Sequence, residues 1–370
     1  MKKSNIIIVA IILISLHVLL FFMLADHGKK KPKSVQIPKP IATAPAPAPI
    51  TKEPSGFAVP KLDIPVEVVE VETPEPEPTP RRETIAVPGT VEGYLRSDRL
   101  DRHTNKVYPK LTGNPYRGAI VLDARTGKII YENRSTTYCY PASVTKLMTL
   151  LIVLDQIDAG VIHLSDKVKI NNEIAKIGGS QIWLDPRESG HFTVDDLLYA
   201  LMVHSANDAA YALALHVAGN RDTFVDMMNQ KARELGMNAT TYHSPHGLPP
   251  TNGSQPDIST PYDIAILSLA VLRHPETLRY TSTELKYIRG GETMLSTRNK
   301  LAKRVDGYQG CDGLKTGYHG MGGWSLAATA ERNGKRVIAV LLGSPDKKTR
   351  NATARKLLDK GFQALEKDNK

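Results

Sequence analysis

YCYPASVTKLMT, residues 138–149, places a lysine at the start of a strongly apolar segment. The chain continues as LLIVLDQIDAG, so a helix here would be hydrophobic on nearly every face and would lie in a core. A buried ammonium group loses its hydration, and this loss is unfavourable unless something compensates for it. Ser143 lies one turn before Lys146 on the same helical face and can supply a partner. The stretch therefore predicts a core helix that begins with a paired serine and lysine.

The start of this helix suits a nucleophile. Pro141 precedes Ser143 closely, and the unpaired N–H groups and dipole at a helix start favour a developing negative charge. A serine hydroxyl is a good nucleophile only when a base takes its proton. Lys146 can be that base if burial or a second cation lowers its pKa.

Two further short segments carry groups that suit the same chemistry. SAN, residues 205–207, follows a helical pattern over residues 197–203, and it offers a hydroxyl for proton transfer and an amide for a substrate carbonyl or the lysine. KTG, residues 315–317, precedes a strand and offers a cation and a hydroxyl for a substrate carboxylate, with a glycine that admits a substrate backbone. Each segment alone is a weak signal, but their joint order at a helix start, a helix end and a strand is specific.

The flanking sequence predicts an antiparallel sheet made from both ends of one domain. RGAIVLDARTGKIIYENR, residues 117–134, is typical of two strands around a glycine-containing turn. SLAATAERNGKRVIAVLLGS, residues 325–344, predicts a second hairpin with residues 333–334 at its tip. Apolar residues at helical spacing then predict a terminal helix that covers the sheet. Helical patterns between the hairpins, one of them starting at a capping box at residues 193–196, complete an α+β fold with a helical insert.

The N-terminal region differs in composition from this domain. Residues 6–25 form an apolar run long enough to span a bilayer, so we expect a cytoplasmic start and a membrane anchor in residues 1–28. A cleaved signal peptide is the alternative. More than half of the 25 prolines lie in residues 32–88, which predicts a disordered, proline-rich linker over residues 29–104. The catalytic domain should then occupy residues 105–370.

The net charge and the residues that could bind a metal exclude several other classes of protein. The formal net charge of +10 comes with few aromatic residues and no nucleic-acid recognition motif, so no nucleic-acid partner is expected. Two cysteines exclude a dense disulfide scaffold and a four-cysteine zinc site. His243 and His246 could form a metal pair, but a proline- and glycine-rich loop without a third ligand favours simple packing. No metal and no cofactor are expected.

Residues from about 115 to 365 resemble the serine D-alanyl-D-alanine carboxypeptidases, the low-molecular-mass penicillin-binding proteins. PASVTKLMT, HSANDAAYALA, LGMNATTYHSPHGL and DGLKTGY stand where that family has comparable segments. The resemblance implies a serine β-lactamase-like transpeptidase fold, with an antiparallel sheet flanked by helices and a helical subdomain. It also implies removal of the terminal D-alanine from peptidoglycan stem peptides, with β-lactams as inhibitors. Because that substrate lies outside the cell, we expect a single-pass membrane protein with an extracytoplasmic catalytic domain.

The resemblance assigns the catalytic steps to residues on the helical side. Ser143 would attack the D-Ala-D-Ala bond and form an acyl-enzyme, which water would then hydrolyse. Lys146 would be the base. Ser205 would complete the proton path together with Asn207, which would also contact the substrate.

The resemblance assigns recognition of the substrate mainly to the strand. Lys315 and Thr316 would bind the terminal carboxylate, and Gly317 would let the substrate lie along the strand edge. The backbone N–H groups of Ser143 and Tyr318 would form the oxyanion hole. His319 and the GMGGW sequence after it depart from the family pattern, so we expect this loop to line the site differently.

Three alternative functions remain open from the sequence. An endopeptidase that cuts peptidoglycan cross-links would share every motif. A β-lactamase would need a deacylating glutamate, and Glu234 with Asn238 mimics the spacing of such a pair. A module that binds penicillin or stem peptides without turnover would differ only in catalysis.

The two cysteines raise a separate hypothesis. Cys139 lies four residues before Ser143, and Cys311 lies four residues before Lys315. In an oxidising compartment they could pair as a disulfide that closes a long loop. Equal spacing does not establish proximity, so two free thiols are the alternative.

Overall fold

The computed structural model of the protein describes residues 109–249 and 255–367. The predicted membrane anchor in residues 1–28 and the predicted linker in residues 29–104 lie outside the described residues. Among the helices of the described part, none has both the length and the apolar character needed to cross a membrane.

A five-stranded sheet in the order β2-β1-β7-β6-β5 forms the centre of the fold, and β3 and β4 form a separate hairpin. Every neighbouring pair is antiparallel. The strands are β1 (Gly118–Asp123), β2 (Ile129–Asn133), β3 (Leu285–Ile288), β4 (Thr293–Ser296), β5 (Cys311–His319), β6 (Gly323–Arg332) and β7 (Lys335–Ser344). The α-helices are α1 (Lys146–Asp158), α2 (Asn172–Ala175), α3 (Val194–Tyr199), α4 (Asn207–Ala218), α5 (Arg221–Glu234), α6 (Pro261–Val271), α7 (Glu276–Thr281) and α8 (Lys347–Lys367). The predicted α+β class is confirmed.

The sheet separates two apolar layers, as the period of a strand requires. On β7, Val337, Ala339 and Leu341 face the cluster that contains α8, whereas the alternate residues face the cluster of the other helices. The predicted terminal helix is confirmed as α8, and its buried face includes Leu358 and Phe362. The second hairpin turns at residues 333–334, both with positive φ, as a two-residue hairpin turn needs.

The helical insert packs on the opposite face of the sheet. Its centre is α1, in which residues 146–154 are all buried. The capping box at the start of α3 is confirmed, since Thr193 and Asp196 bond reciprocally to each other's backbone N–H.

The helix predicted over residues 197–203 is different in one respect. The α-helix α3 ends at Tyr199, and residues 200–204 form one wider π-helical turn, in which the backbone N–H of Ser205 donates to Ala200 O. The turn ends at Ser205, which has a left-handed φ of 64°. Propensity does not distinguish such a turn from α-helix, although π-turns occur often at functional sites.

The disulfide between Cys139 and Cys311 is not formed. Both are free thiols, and each bonds to a backbone oxygen of its own segment. The turn that follows Cys139 packs against Gly317, six residues beyond Cys311 on β5. At a rise of about 3.3 Å per residue, Cys311 lies ~20 Å from that contact along the strand. Equal spacing from the two motifs therefore does not bring the cysteines together. Cys311 begins β5, whereas Cys139 precedes the turn that packs near the other end of that strand.

Candidate active site

The three predicted segments meet at one cleft with a volume of about 370 Å³. Ser143 lies in a 3-10 turn, Ala142–Thr145, that leads directly into α1. Ser205 and Asn207 come from the junction of the π-turn and α4, and Thr316 and Gly317 come from the edge strand β5. Five residues from three segments that are far apart in sequence thus line the same space.

Lys146 lies beneath this cleft and is completely buried. Its Nζ donates to Asn207 Oδ1 at 2.6 Å and to the His246 carbonyl oxygen at 2.8 Å, and it lies 3.1 Å from Ser143 Oγ. Burial, and then the positive charge of Lys315, hold the pKa of Lys146 well below its ordinary value. Both effects favour the neutral amine over the ammonium.

The contacts of Lys146 orient that neutral amine. A neutral amine has two N–H bonds and one lone pair, and two of its neighbours are carbonyl oxygens that can only accept. When Asn207 Oδ1 and His246 O take the two N–H bonds, the lone pair is left for the hydroxyl proton of Ser143. The lysine predicted as a base is thus positioned as one.

The structure shows which group the side chain of Asn207 contacts. The sequence left open whether its amide would contact a substrate carbonyl or the lysine, and its oxygen accepts from Lys146. Its Nδ2 donates to Gly178 O at 2.8 Å, and its backbone N–H donates to Ser180 O at 2.7 Å. Asn207 therefore ties the lysine to the loop at residues 178–180, which forms one wall of the cleft. Its predicted contact with substrate stays a prediction.

A buried carboxylate supports the loop that carries the His246 carbonyl. Asp257 accepts from the backbone N–H groups of His243 and Ser244, and from the Thr145 hydroxyl at 2.8 Å. Burial raises the pKa of Asp257 to about 6. Sequence reasoning missed this residue, because it acts on the lysine only through a backbone oxygen and a long-range contact.

Lys315 is the second buried lysine of the site, with 1 % of its surface exposed. Its Nζ donates to Ser205 Oγ at 2.8 Å and to the Thr316 carbonyl oxygen at 3.1 Å. Burial, followed by the charges of Arg298 and Arg350, lowers the pKa of Lys315 to about 7. An ammonium in this position has a third N–H left for a substrate anion, as predicted for the terminal carboxylate.

Three cations line the cleft, and none was singled out from the sequence; Lys315 is not among the described residues that line it. The three are Arg298, Lys347 and Arg350. Arg350 is 1 % exposed and bonds to Asn351 and a backbone oxygen rather than to a carboxylate. Together with Lys315 they make this end of the cleft strongly attractive to an anion.

Two glycines let the backbone close around the turn before Ser143. A Cβ on Gly317 would lie 2.6 Å from the Pro141 carbonyl oxygen, and one on Gly247 would lie 2.0 Å from the Ala142 carbonyl oxygen. Gly317 is therefore needed for packing of β5 against the nucleophile's turn, in addition to its predicted role in admitting substrate.

Tyr318 lies at the rim of the cleft. Its ring is 57 % exposed and lies 4.3 Å from the Trp324 ring, centroid to centroid. Ser143 and Tyr318 line the same space, so their backbone N–H groups remain the predicted oxyanion hole.

Glu234, the mimic of a deacylating glutamate, lies elsewhere. It ends α5, is 49 % exposed and forms an ion pair with Lys231 at 3.3 Å. Neither Glu234 nor Asn238 is among the described residues that line the cleft. The spacing that suggested a β-lactamase pair is therefore coincidental.

The sequence profile of the D-alanyl-D-alanine carboxypeptidase family, peptidase S11, matches residues 115–346. The chain belongs to this family. The carboxypeptidase DacF of Bacillus subtilis is 37% identical to it over 253 residues, which are 68% of this chain and 63% of that protein. DacC of Escherichia coli is 32% identical over 256 residues, which are 68% of this chain and 62% of that protein. The match thus spans a little under two thirds of the length of these relatives.

Solved structures of penicillin-binding proteins share the fold. Penicillin-binding protein D2 of Listeria monocytogenes, in an ampicillin-bound form, superposes with a TM-score of 0.59 at 31% identity and covers 70% of this chain and 99% of its own. Penicillin-binding protein 5 of Haemophilus influenzae gives a TM-score of 0.62 at 31% identity, with 69% of this chain and 72% of its own covered. The expected transpeptidase-like fold is confirmed.

The segment that departs from the carboxypeptidase pattern lines the cleft through Trp324, whereas His319 points elsewhere. His319 is 4 % exposed, and its Nδ1 accepts the backbone N–H groups of Met321 and Gly322. Its ring also packs against Tyr140, with centroids 5.0 Å apart. His319 therefore shapes the turn after β5, and it is not among the described residues that line the cleft.

Proposed function

We propose that this protein is a serine-type D-alanyl-D-alanine carboxypeptidase that removes the terminal D-alanine from peptidoglycan stem peptides. The observation that carries the proposal is the arrangement of Lys146, whose two acceptors leave its lone pair for Ser143. The cations at the other end of the cleft fit a substrate that ends in a free carboxylate.

The first half-reaction follows from this geometry. Lys146, neutral because it is buried, takes the hydroxyl proton as Ser143 Oγ attacks the carbonyl carbon of the D-Ala-D-Ala bond. The negative charge on the carbonyl oxygen would be held by the backbone N–H groups of Ser143 and Tyr318. Collapse of this intermediate breaks the C–N bond, and the proton passes to the leaving amine of D-alanine.

The second half-reaction restores the enzyme. Water attacks the ester carbonyl of the acyl-enzyme while Lys146 again takes a proton, and the shortened peptide leaves as Ser143 regains its hydroxyl. Ser205 bonds to Lys315 and lines the same cleft as Ser143, so we assign it the relay of a proton to the leaving amine. β-Lactams would enter the same cleft and acylate Ser143.

The test is release of D-alanine from a synthetic pentapeptide that ends in D-Ala-D-Ala. The detergent-solubilised full chain should release D-alanine, and Ser143→Ala should reduce release to background and abolish labelling by a fluorescent penicillin. Labelling without release would favour the non-catalytic binding module. Release only from a cross-linked dimer of stem peptides would favour the endopeptidase.

We further propose that residues 1–28 anchor the protein in the cell membrane, and that the catalytic domain lies on the extracytoplasmic side. The apolar run at residues 6–25 and the location of peptidoglycan outside the membrane support this placement. Protease added to spheroplasts should remove the catalytic domain while an N-terminal tag stays protected. Protection of both would contradict the proposed orientation.

A further inference from the structure

A second cleft opens beside the catalytic cleft and has a volume of about 760 Å³. Its walls are formed by residues 181–188, His204 and the β3–β4 hairpin. Residues that are adjacent in sequence line different clefts. Ser180 and Ser205 line the catalytic cleft, whereas their neighbours Gln181 and His204 line the second cleft. A single thin wall therefore separates the two spaces.

The shared wall is held together from both sides. The Arg298 guanidinium lies 3.3 Å from Ser180 Oγ and 3.3 Å from His204 Nε2. The buried carboxylate of Asp208 accepts the backbone N–H of Ile182 at 3.1 Å and that of Leu184 at 3.1 Å. The loop that begins at the catalytic cleft thus reaches the second cleft in a fixed conformation.

Trp183 is the exposed residue of this fixed loop. Its neighbours Ile182 and Leu184 are buried, whereas Trp183 is 75 % exposed and lines the second cleft. Its φ of 60° is a left-handed conformation, which is unfavourable for a bulky residue, and its carbonyl oxygen accepts from Arg289 at 3.1 Å. The backbone therefore holds a large aromatic surface in solvent, which is characteristic of a recognition site.

The charges of the second cleft neutralise one another. Arg187 pairs with Asp185 at 2.6 Å, and Arg289 pairs with Glu188 at 2.7 Å. This arrangement contrasts with the catalytic cleft, where no aspartate or glutamate is among the described residues of the lining. The second cleft therefore suits a neutral ligand that has an apolar face and many hydrogen-bonding groups. A pyranose ring has this character, because its C–H groups lie on its faces and its hydroxyls at its edge.

We propose that the second cleft binds an N-acetylated amino sugar of the glycan strand, at the N-terminal end of the stem peptide, with Trp183 against the sugar face. This inference rests on the proposed function. The cations on β5 and α8 draw the peptide's carboxylate to their side, so the rest of the peptide leaves past Gly179 and Ser180. Ser180 and Trp183 are three residue steps apart along the chain, a span of at most about 11 Å, and an extended tetrapeptide reaches ~13 Å. The reach of the peptide is therefore comparable to the length of the loop that leads from the catalytic cleft to the indole.

The experiment compares two substrates on the full-length enzyme. One is a free pentapeptide ending in D-Ala-D-Ala, and the other is the same peptide joined to N-acetylglucosaminyl-N-acetylmuramic acid. The wild type should show a kcat/KM about 3- to 10-fold higher for the glycopeptide, the range expected for one aromatic contact. Trp183→Ala should bring this ratio close to one. Tyr287→Ala is the matched control, because Tyr287 is 58 % exposed on β3 and does not line the second cleft.

Each other outcome overturns a different statement. A wild-type ratio of one, with D-alanine released from both substrates, would refute the sugar site and leave the proposed function intact. An equal loss on both substrates in Trp183→Ala would make the residue a support for the catalytic cleft instead. No release from either substrate by the wild type would refute the proposed function itself.

Discussion

Lys146 and Lys315 are the same residue type at nearly the same burial, yet their surroundings give them different chemistry. Lys146 lies on the helical side, where burial and the charge of Lys315 favour the neutral amine, and its two carbonyl acceptors leave the lone pair to Ser143. Lys315 lies on the strand side, where Arg298 and Arg350 add positive charge and the pKa is about 7. Burial alone therefore does not decide what a lysine does. The neighbours decide whether it takes a proton or binds an anion.

Removing the amine on the helical side should have the largest effect. Lys146→Met keeps the length and burial of the side chain but leaves Ser143 without a base, so the rate of acylation should fall by about 10²–10⁴-fold. Stopped-flow labelling with a fluorescent β-lactam measures this rate, and the melting temperature checks that the fold is intact. Lys315→Met serves as the matched control, since it should raise KM for the peptide more than it slows acylation. Equal effects of the two variants on both constants would remove the distinction between the lysines.

Disrupting the contact between β5 and the turn before Ser143 should have the next largest effect. In Gly317→Ala the new methyl group would lie 2.6 Å from the Pro141 carbonyl oxygen, so β5 or the turn before Ser143 must move. A displacement of this kind should lower kcat/KM by roughly 10²-fold and destabilise the fold by about 1–3 kcal/mol. D-alanine release and denaturant unfolding measure the two effects.

Gly320→Ala is the control for this substitution. Gly320 directly follows β5, has no atom within 4 Å of the added Cβ and lacks a left-handed φ. It should therefore leave both activity and stability close to the wild type. Wild-type behaviour of Gly317→Ala would show that the two sides of the cleft tolerate separation.

The two lysines show which features of the site could be predicted from the sequence and which could not. Ser143 and Lys146 are one turn apart, so periodicity and the cost of burial were enough to predict their pairing. The pattern also predicted the hairpins and the terminal helix, because strand and helix periods are local. Arg298 and Arg350 could not be chosen from the many cations of the chain, since they reach Lys315 only through the tertiary fold.

Backbone groups account for most of the other site features that could not be predicted from the sequence. The acceptors of Lys146 include the carbonyl oxygen of His246, and a residue's letter does not show where its backbone oxygen points. The π-turn before Ser205 likewise depends on packing, because its residues favour an ordinary α-helix. Sequence patterns thus identified the candidate catalytic side chains, whereas their pKa shifts and orientation depend on contacts that are distant in the chain.

The smallest expected effect is a shift in the pH profile, and it tests the two lysines separately. On the acidic side, kcat/KM should rise with pH as Lys146 loses its proton, at a pKa well below the ordinary lysine value. On the alkaline side it should fall as Lys315, with a pKa of about 7, loses the charge that binds the substrate carboxylate. Lys315→Arg keeps that charge at all working pH values, so only the alkaline limb should move upwards.

Lys315→Met completes this comparison, because it removes the charge that lowers the pKa of Lys146. Its acidic limb should therefore shift to higher pH, and its alkaline limb should disappear along with most of the carboxylate binding. The measurement is kcat/KM for D-alanine release between pH 5 and 10, at about 0.1 M salt so that distant charges are screened. If Lys315→Arg instead moved the acidic limb, the proton acceptor would be on the strand, and the roles of the two lysines would be reversed.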